Sequence, residues 1–202
     1  MVRINIAETD TQIAKRIHAA YGAAVQKYLN DASSKVLNSL KPTIVSAITS
    51  SPEMQSVEGG LLKADFGLTS SPVSVIVDSI VSTLNLKTQK VITNSNKMTG
   101  GFLITMQPNN YSNLFNLPQA NQKIINGSLP WLEWLLTFGD TVIIVNSKVE
   151  YGPYGRTGLA KMTRGGPFKV NSAFSGTVDD NFITRALKRN EQAILQSIKR
   201  VL

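Results

Sequence analysis

Apolar positions divide the chain into a helical first half and a mixed second half. Thr9-Asp10 reads as a helix cap, and behind it Ile13, Ile17, Ala20, Tyr21, Ala24, Val25 and Tyr28 recur at three- and four-residue intervals. Lys15, His18, Gln26 and Asn30 lie around the other side, and the pattern runs on through Ala32, Val36, Leu37 and Leu40. The spacing predicts an amphipathic helix of about 30 residues that ends or kinks at Pro42, because proline lacks the donor that the next turn needs. Ser51-Pro-Glu-Met opens a second, shorter helix, weakened by Gly59-Gly60. Ser71-Pro72 opens a third, in which Val73, Ile76, Val77, Ile80, Val81 and Leu84 fit a helical face while their β-branching argues for a strand.

The texture then changes. Lys87 to Thr93 and Phe102 to Met106 read as strands joined by a turn-rich loop from Asn94 to Gly101, and residues 107–128 are polar and irregular. Leu129 to Phe138 predicts a short helix with Trp131, Trp134, Leu135 and Phe138 on one inward face and Glu133 toward water. Thr141 to Val145 is the clearest strand. A glycine-rich loop over 151–158 follows it, and Leu159 to Thr163 pairs back. Thr177-Val-Asp-Asp180 reads as a capping box for a last helix whose apolar face is Ile183, Ala186, Leu187, Ile194, Ile198 and Val201. Together these elements predict one α+β domain over 1–202, with a long helical N-terminal segment (1–49), an α+β body (50–202), a small antiparallel sheet and an amphipathic C-terminal helix.

Composition narrows the chemistry. The chain carries 202 residues, 42% hydrophobic and only 17% charged, so much of its surface is Ser, Thr, Asn and Gln, which suits fitted contacts between subunits. Net charge is +8, and ten of the 21 Lys/Arg fall in residues 148–202 against four acids. Such a balance attracts nucleic acid, anionic membrane or acidic partners. With no cysteine and one histidine, disulfides, thiolate metal sites and cysteine nucleophiles are excluded, and a zinc site lacks its nitrogen and sulfur ligands. His18 reads as a boundary residue of the first helix, and Asp179-Asp180 as capping residues rather than cation ligands. No phosphate-loop or dinucleotide fingerprint occurs, and a serine nucleophile finds no histidine partner. The expectation is a protein without a cofactor that is not an enzyme. The N-terminus lacks a signal-peptide apolar region, and no run approaches the ~18 apolar residues of a membrane span.

The candidate contact site is the segment from Tyr151 to Lys169, where no acid falls between Glu150 and Asp179. Its Tyr151, Tyr154 and Phe168 interleave with Arg156, Lys161, Arg164 and Lys169, a pairing of stacking surfaces and cations that suits a protein partner's acids or DNA phosphates. A hairpin tip with no further role would also explain the glycines, but the coincidence of charge, aromatics and glycine there favours contact.

Several runs resemble the neck and tail-completion proteins of tailed bacteriophages, the head–tail connector group: Leu129 to Asp140 followed by a strand, Gly155-Arg-Thr-Gly-Leu-Ala160, Phe174 to Leu187, and Pro52-Glu-Met with Leu62 to Leu68. The similarity covers much of residues 50–202. It implies an α+β virion structural protein, made in the host cytoplasm, that assembles as a homo-oligomeric ring, hexameric or dodecameric, between the capsid portal and the tail. Such a ring has adjacent neck and tail proteins as partners and surrounds the DNA channel, with nonspecific contact to genomic DNA and none to membrane. It implies no catalytic residue. The alternative reading is a free, non-enzymatic nucleic-acid-binding protein, which requires the basic loop and the last helix to form one continuous patch.

Overall fold

The computed structural model describes residues 8–94, 97–108, 110–124 and 127–202, so Ser95 and Asn96 of the expected loop, Asn109, Ile125, Asn126 and the first seven residues lie outside it. The architecture is α+β, as the periodicities predict. Helix α1 (Asp10–Thr49) is followed by α2 (Pro52–Gly59), α3 (Leu61–Asp65) and α4 (Val73–Ser82). The hairpin β1 (Asn85–Asn94) and β2 (Lys97–Thr105) comes next, then α5 (Ser112–Phe115) and the short hairpin β3 (Gln122–Ile124) and β4 (Gly127–Leu129). Helix α6 (Trp131–Thr137) leads into β5 (Val142–Ile144), β6 (Ser147–Tyr151), β7 (Ala160–Arg164) and β8 (Phe168–Lys169), and α7 (Phe182–Arg189) and α8 (Glu191–Lys199) close the chain. The strands pair two by two and antiparallel: β1 with β2, β3 with β4, β5 with β8, β6 with β7.

Helix α1 does not stop at Pro42. A proline inside a helix costs about 3 kcal/mol. Beyond it Ile44, Ala47 and Ile48 are buried, and each large apolar side chain fully removed from water returns roughly 1.5–3 kcal/mol. The tertiary core therefore carries the helix past its own breaker. Val36, Leu40, Ile44 and Ile48 form the spine against which Met54, Leu62, Ile76 and Ile80 pack. The Val73–Leu84 ambiguity resolves as a helix: Ile76, Val77, Ile80 and Val81 are buried at helical spacing and Val75 is exposed.

The N-terminal half of α1 behaves differently. Between Asp10 and Lys35 only Gly22, Leu29 and Ala32 are buried; the hairpin β1–β2 lies along this part of the helix, and the Tyr28 hydroxyl donates to the Leu202 carbonyl at 2.5 Å. Thr93 sits so close to Gly22 that a Cβ there would lie 2.7 Å from its Cγ2, and Gln26 accepts the Val91 N–H through Oε1 at 2.7 Å. The apolar positions read as one inward stripe are split: Ile17 and Tyr21 remain 62% exposed and Tyr28 50%. Residues 97–101, expected in a loop, instead extend β2, with a register shift between Gln89 and Ile92.

Three further expectations change. Residues 107–128 contain α5 and the β3–β4 hairpin as well as irregular chain. The inward face of α6 is only partly inward: Trp131 and Leu135 are fully buried, Trp134 is half-buried, and Phe138 stacks on Trp134 (centroids 4.5 Å) while 42% exposed. The last helix is capped by Asn181, not by Thr177–Asp180, and breaks at Asn190. The Asn181 side chain accepts the Ile183 and Thr184 N–H groups, and the Asn190 side chain donates back to the Ala186 carbonyl at 2.9 Å.

The two ends of the chain are joined at a buried ion pair. Glu53 on α2 is 1% exposed, and Arg185 on α7 donates to its Oε1 from Nε at 3.1 Å and Nη2 at 2.8 Å. The same guanidinium reaches the carbonyls of Phe174 and Ser175 and the Asp180 carboxylate. Removing one partner of a buried pair strands the other charge. Arg185→Ala is expected to lower unfolding free energy by about 3–5 kcal/mol in a urea titration, with Glu53→Gln costing less because Arg185 keeps the Asp180 carboxylate and the carbonyls of Phe174 and Ser175 as partners.

Candidate contact site

The predicted segment forms a braced hairpin. Strands β6 and β7 pair in the register Ser147↔Arg164, Lys148↔Thr163, Val149↔Met162, Glu150↔Lys161 and Tyr151↔Ala160. Directly opposed residues share a face and alternate pairs change sides. Lys148, Glu150 and Lys161 therefore stand on one face, and Tyr151, Met162 and Arg164 on the other.

That alternation divides the seven residues singled out by the sequence. Lys161 lies with its Nζ 3.8 Å from the Glu150 carboxylate and 4.6 Å from the centre of the Tyr154 ring, a cation–π contact within the tip. Tyr154 is 42% exposed and donates to the Tyr151 carbonyl at 3.3 Å. Arg156 is exposed but tethered, donating from Nη1 to the Lys123 carbonyl and from Nη2 to the Gly67 carbonyl, each at 3.2 Å. Lys169 pairs with Asp140 at 2.9 Å. Arg164 is exposed and has no ion pair among the described residues. Phe168 belongs to the core: it is 3% exposed and meets Phe66 edge-on at 6.4 Å, and Phe66 in turn packs on Trp131. A side chain so enclosed cannot stack on a base, so Phe168 is corrected from contact residue to anchor of β8.

Tyr151 is the second anchor. Its hydroxyl donates to Asp65 Oδ1 at 2.5 Å, tying the root of the tip to the end of α3. Asp65 is buried, and that desolvation raises its pKa above 3.8 despite the opposing hydrogen bond from Tyr151. Tyr151 is pushed well above its usual 10.0, first by desolvation, then by the hydrogen bond to Asp65 and the carboxylate's charge. Asp65, Tyr151, Lys148, Phe168, Lys169 and Ser172 line a cleft of about 380 Å³ beneath the tip. Asp65 had not been singled out from sequence: a lone aspartate after Leu-Leu-Lys-Ala carries no spacing signal, and only the fold brings it to Tyr151.

The loop between the strands depends on glycine at one position above all. Gly155 has φ +77°, and a Cβ there would stand 2.0 Å from the Ala160 carbonyl oxygen. Among the described residues no group of three or more His, Cys, Asp or Glu could hold a metal ion, and no helix is long and apolar enough to cross a membrane. Comparison with family models, curated proteins and solved structures returns no match.

What the arrangement can do is present a stiff tip. Lys148 and Lys161 share Glu150, Lys169 meets Asp140, Arg156 is tethered to carbonyls and Arg164 alone has no partner among the described residues, while the aromatic Tyr154 is half open. Gly155→Ala is expected to open the tip, raising protease cleavage between residues 152 and 159 while the melting of the body moves little. The tether also sets a pH dependence. A folded-state pKa raised above the unfolded value means that the folded form holds the proton more tightly, so stability falls as pH rises through that interval. For Tyr151 the loss begins above pH 10.0, and for Asp65 it begins just above pH 3.8. Tyr151→Phe is expected to flatten the alkaline fall measured by chemical unfolding, and Asp65→Asn the acidic one.

Proposed function

We propose that this chain is a structural virion protein of the phage neck or upper tail. It forms a homo-oligomeric ring that joins the portal complex to the tail and surrounds the DNA channel. The observation that carries the reading is the uncovered arm. A 40-residue helix and a two-stranded hairpin lie along one another, with Ile17, Tyr21, Tyr28, Ile92 and Leu103 left 46–62% exposed on the two elements. Apolar surface concentrated on an arm marks an interaction site. Rings made of one chain use it economically, because each copy offers the same pair of surfaces until rotation closes the circle. The resemblance in residues 50–202 supports a ring of the neck or upper tail, and the stiff tip from Tyr151 to Arg164 suits a seat against an adjacent neck or tail protein.

DNA contact is confined, in this reading, to a few cations of the tip and is nonspecific. The cations of the tip sit on opposite faces of β6–β7, which favours the ring over the free nucleic-acid-binding protein. The test is mass in solution by light scattering across a concentration series, followed by imaging of particles with the chain labelled. The expected outcome is a closed oligomer and a label at the collar. A monomer at every concentration together with a particle whose collar lacks the label would overturn the reading. Retention on DNA that stays strong near physiological salt would favour the alternative, since counterion release makes weak phosphate binding fade quickly with salt.

A further inference from the structure

Charge is distributed along this chain in a way that the ring reading alone does not require. No acid occurs between Asp78 and Glu133, and the only charges on the β1–β2 hairpin are Lys87, Lys90 and Lys97, all exposed. Lys87 stands across from Leu103 and Ile92 across from Thr99. The register shift between Gln89 and Ile92 keeps these residues on the side away from the core, where Ile92 is 55% and Leu103 46% exposed. The inner side, with Leu86, Phe102 and Ile104, is packed against the core. The outer side is thus an apolar strip framed by cations alone.

Its complement lies elsewhere on the same molecule. Phe138, stacked on Trp134, is bridged to Thr177, and Val178 beside it is 49% exposed. Asp179 follows, with no ion pair among the described residues, and then Asp180, whose side chain is 70% exposed. Asp180 shares Arg185 with Glu53, so that trio keeps one net negative charge, while Asp140 nearby is neutralised by Lys169. In a chain of net charge +8, this is an exposed apolar patch framed by acids.

We propose that the outer face of the β1–β2 hairpin of one copy docks on the Phe138–Val178 patch of the next. Ile92 and Leu103 lie against the aromatic pair, and Lys87 and Lys90 face Asp179 and Asp180. The inference rests on the ring reading and specifies its interface. The two surfaces differ, so the contact is head-to-tail, the kind that closes into rings or runs on as filaments. A ten-residue strand spans about 33 Å, enough for the hairpin to reach across a neighbour's surface. Apolar burial supplies the affinity, and the charges supply register and rate.

Two charge reversals test this in the full chain. Lys87→Glu/Lys90→Glu reverses the hairpin, and Asp179→Lys cancels the net negative charge of the patch and places a cation in it; all three positions are exposed, so both proteins are expected to fold with unchanged circular dichroism. Each variant alone is expected to need at least about tenfold more protein to assemble, which corresponds to about 1.4 kcal/mol. Mixed one to one they are expected to assemble at lower concentration than either alone, because each reversed hairpin can then meet the lysine introduced at position 179 and each unaltered hairpin an unaltered patch. A second measurement uses the absence of cysteine. Under mild oxidation Ile92→Cys/Val178→Cys is expected to give a ladder of covalent multimers, and either single change only dimers at most. Unaltered assembly of both reversal variants, or a double-cysteine protein that forms no ladder although the chain is oligomeric, overturns the proposed interface and leaves the ring reading standing. A chain that is monomeric throughout, with no ladder, overturns both.

Discussion

Helix α1 is longer than the core it serves. Forty residues at 1.5 Å each span about 60 Å, whereas a compact body of the remaining ~150 residues has a radius of gyration near 15 Å. Half of the helix must therefore find cover outside the main core. The sequence meets this constraint with the β1–β2 hairpin, which supplies Thr93 against Gly22 and a backbone donor for Gln26. A hairpin by itself is marginal in water, and so is an overhanging helix; each is stabilised by lying on the other. The cover is incomplete: Ile17, Tyr21 and Tyr28 on the helix and Ile92 and Leu103 on the hairpin stay exposed.

The opposite end of α1 is held by a different physics. From Val36 to Ile48 the helix is clamped by α2, α4, α7 and α8, and the serines and threonines of its outer side bond to the last helix, Ser39 to the Ser197 carbonyl and Thr43 to the Ser197 hydroxyl. Glu53 and Arg185 fasten α2 to α7 at the edge of this cluster. The pair is imperfect, since Glu53 Oε2 is buried without a partner. A buried charge pair of that kind contributes less to net stability than to a unique arrangement: it rewards only the packing in which Arg185 also reaches the carbonyls of Phe174 and Ser175. The segment 174–180, otherwise irregular, is thereby fixed beside α6, which is how Val178 comes to stand near Phe138.

Long periodic elements were legible in the sequence because the core obeys the same period. The start of α1 at its Thr9 cap, α2 with its Ser51-Pro52 opening and α6 all follow from local residues, whereas the partners of the strands do not: Ala160–Arg164 pairs with Ser147–Tyr151, which nothing local marks as a strand, and Val142–Ile144 pairs with β8. The failures occur where tertiary burial outweighed local preference. Pro42 stayed inside a helix because three apolar residues beyond it are buried, and Asn190 broke the last helix because its side chain closes the turn. At the candidate site the residue types were legible and their partners were not. Nothing in Tyr151-Gly-Pro-Tyr-Gly-Arg announces that Tyr151 binds Asp65, 86 residues away, or that Arg156 binds the Gly67 carbonyl. Those contacts depend on how α3 and β6 meet. Phe168 shows the same limit: an aromatic among cations looks like a stacking surface until the fold buries it.

The braces of the tip and the bareness of the arm point to a division of labour. Tyr151, Arg156, Lys161 and Phe168 spend their polar and apolar groups on the chain's own carbonyls, carboxylates and rings, which makes the tip rigid and leaves little charge to offer. A rigid element loses little entropy when it is seated, so it suits a shallow fit against a preformed surface. The arm has the reverse economy. Lys87, Lys90 and Lys97 have no ion pair among the described residues, and Ile17, Tyr21, Ile92 and Leu103 are uncovered, so these groups remain available for contact in the single chain. Assembly then draws mainly on the arm, and the tip contributes shape and position. On this view the basic excess concentrated in residues 148–202 is an incomplete guide to where the chain makes its strongest contacts, because Lys148, Lys161, Lys169 and Arg185 already meet acids within the fold and Arg156 is tethered to carbonyls.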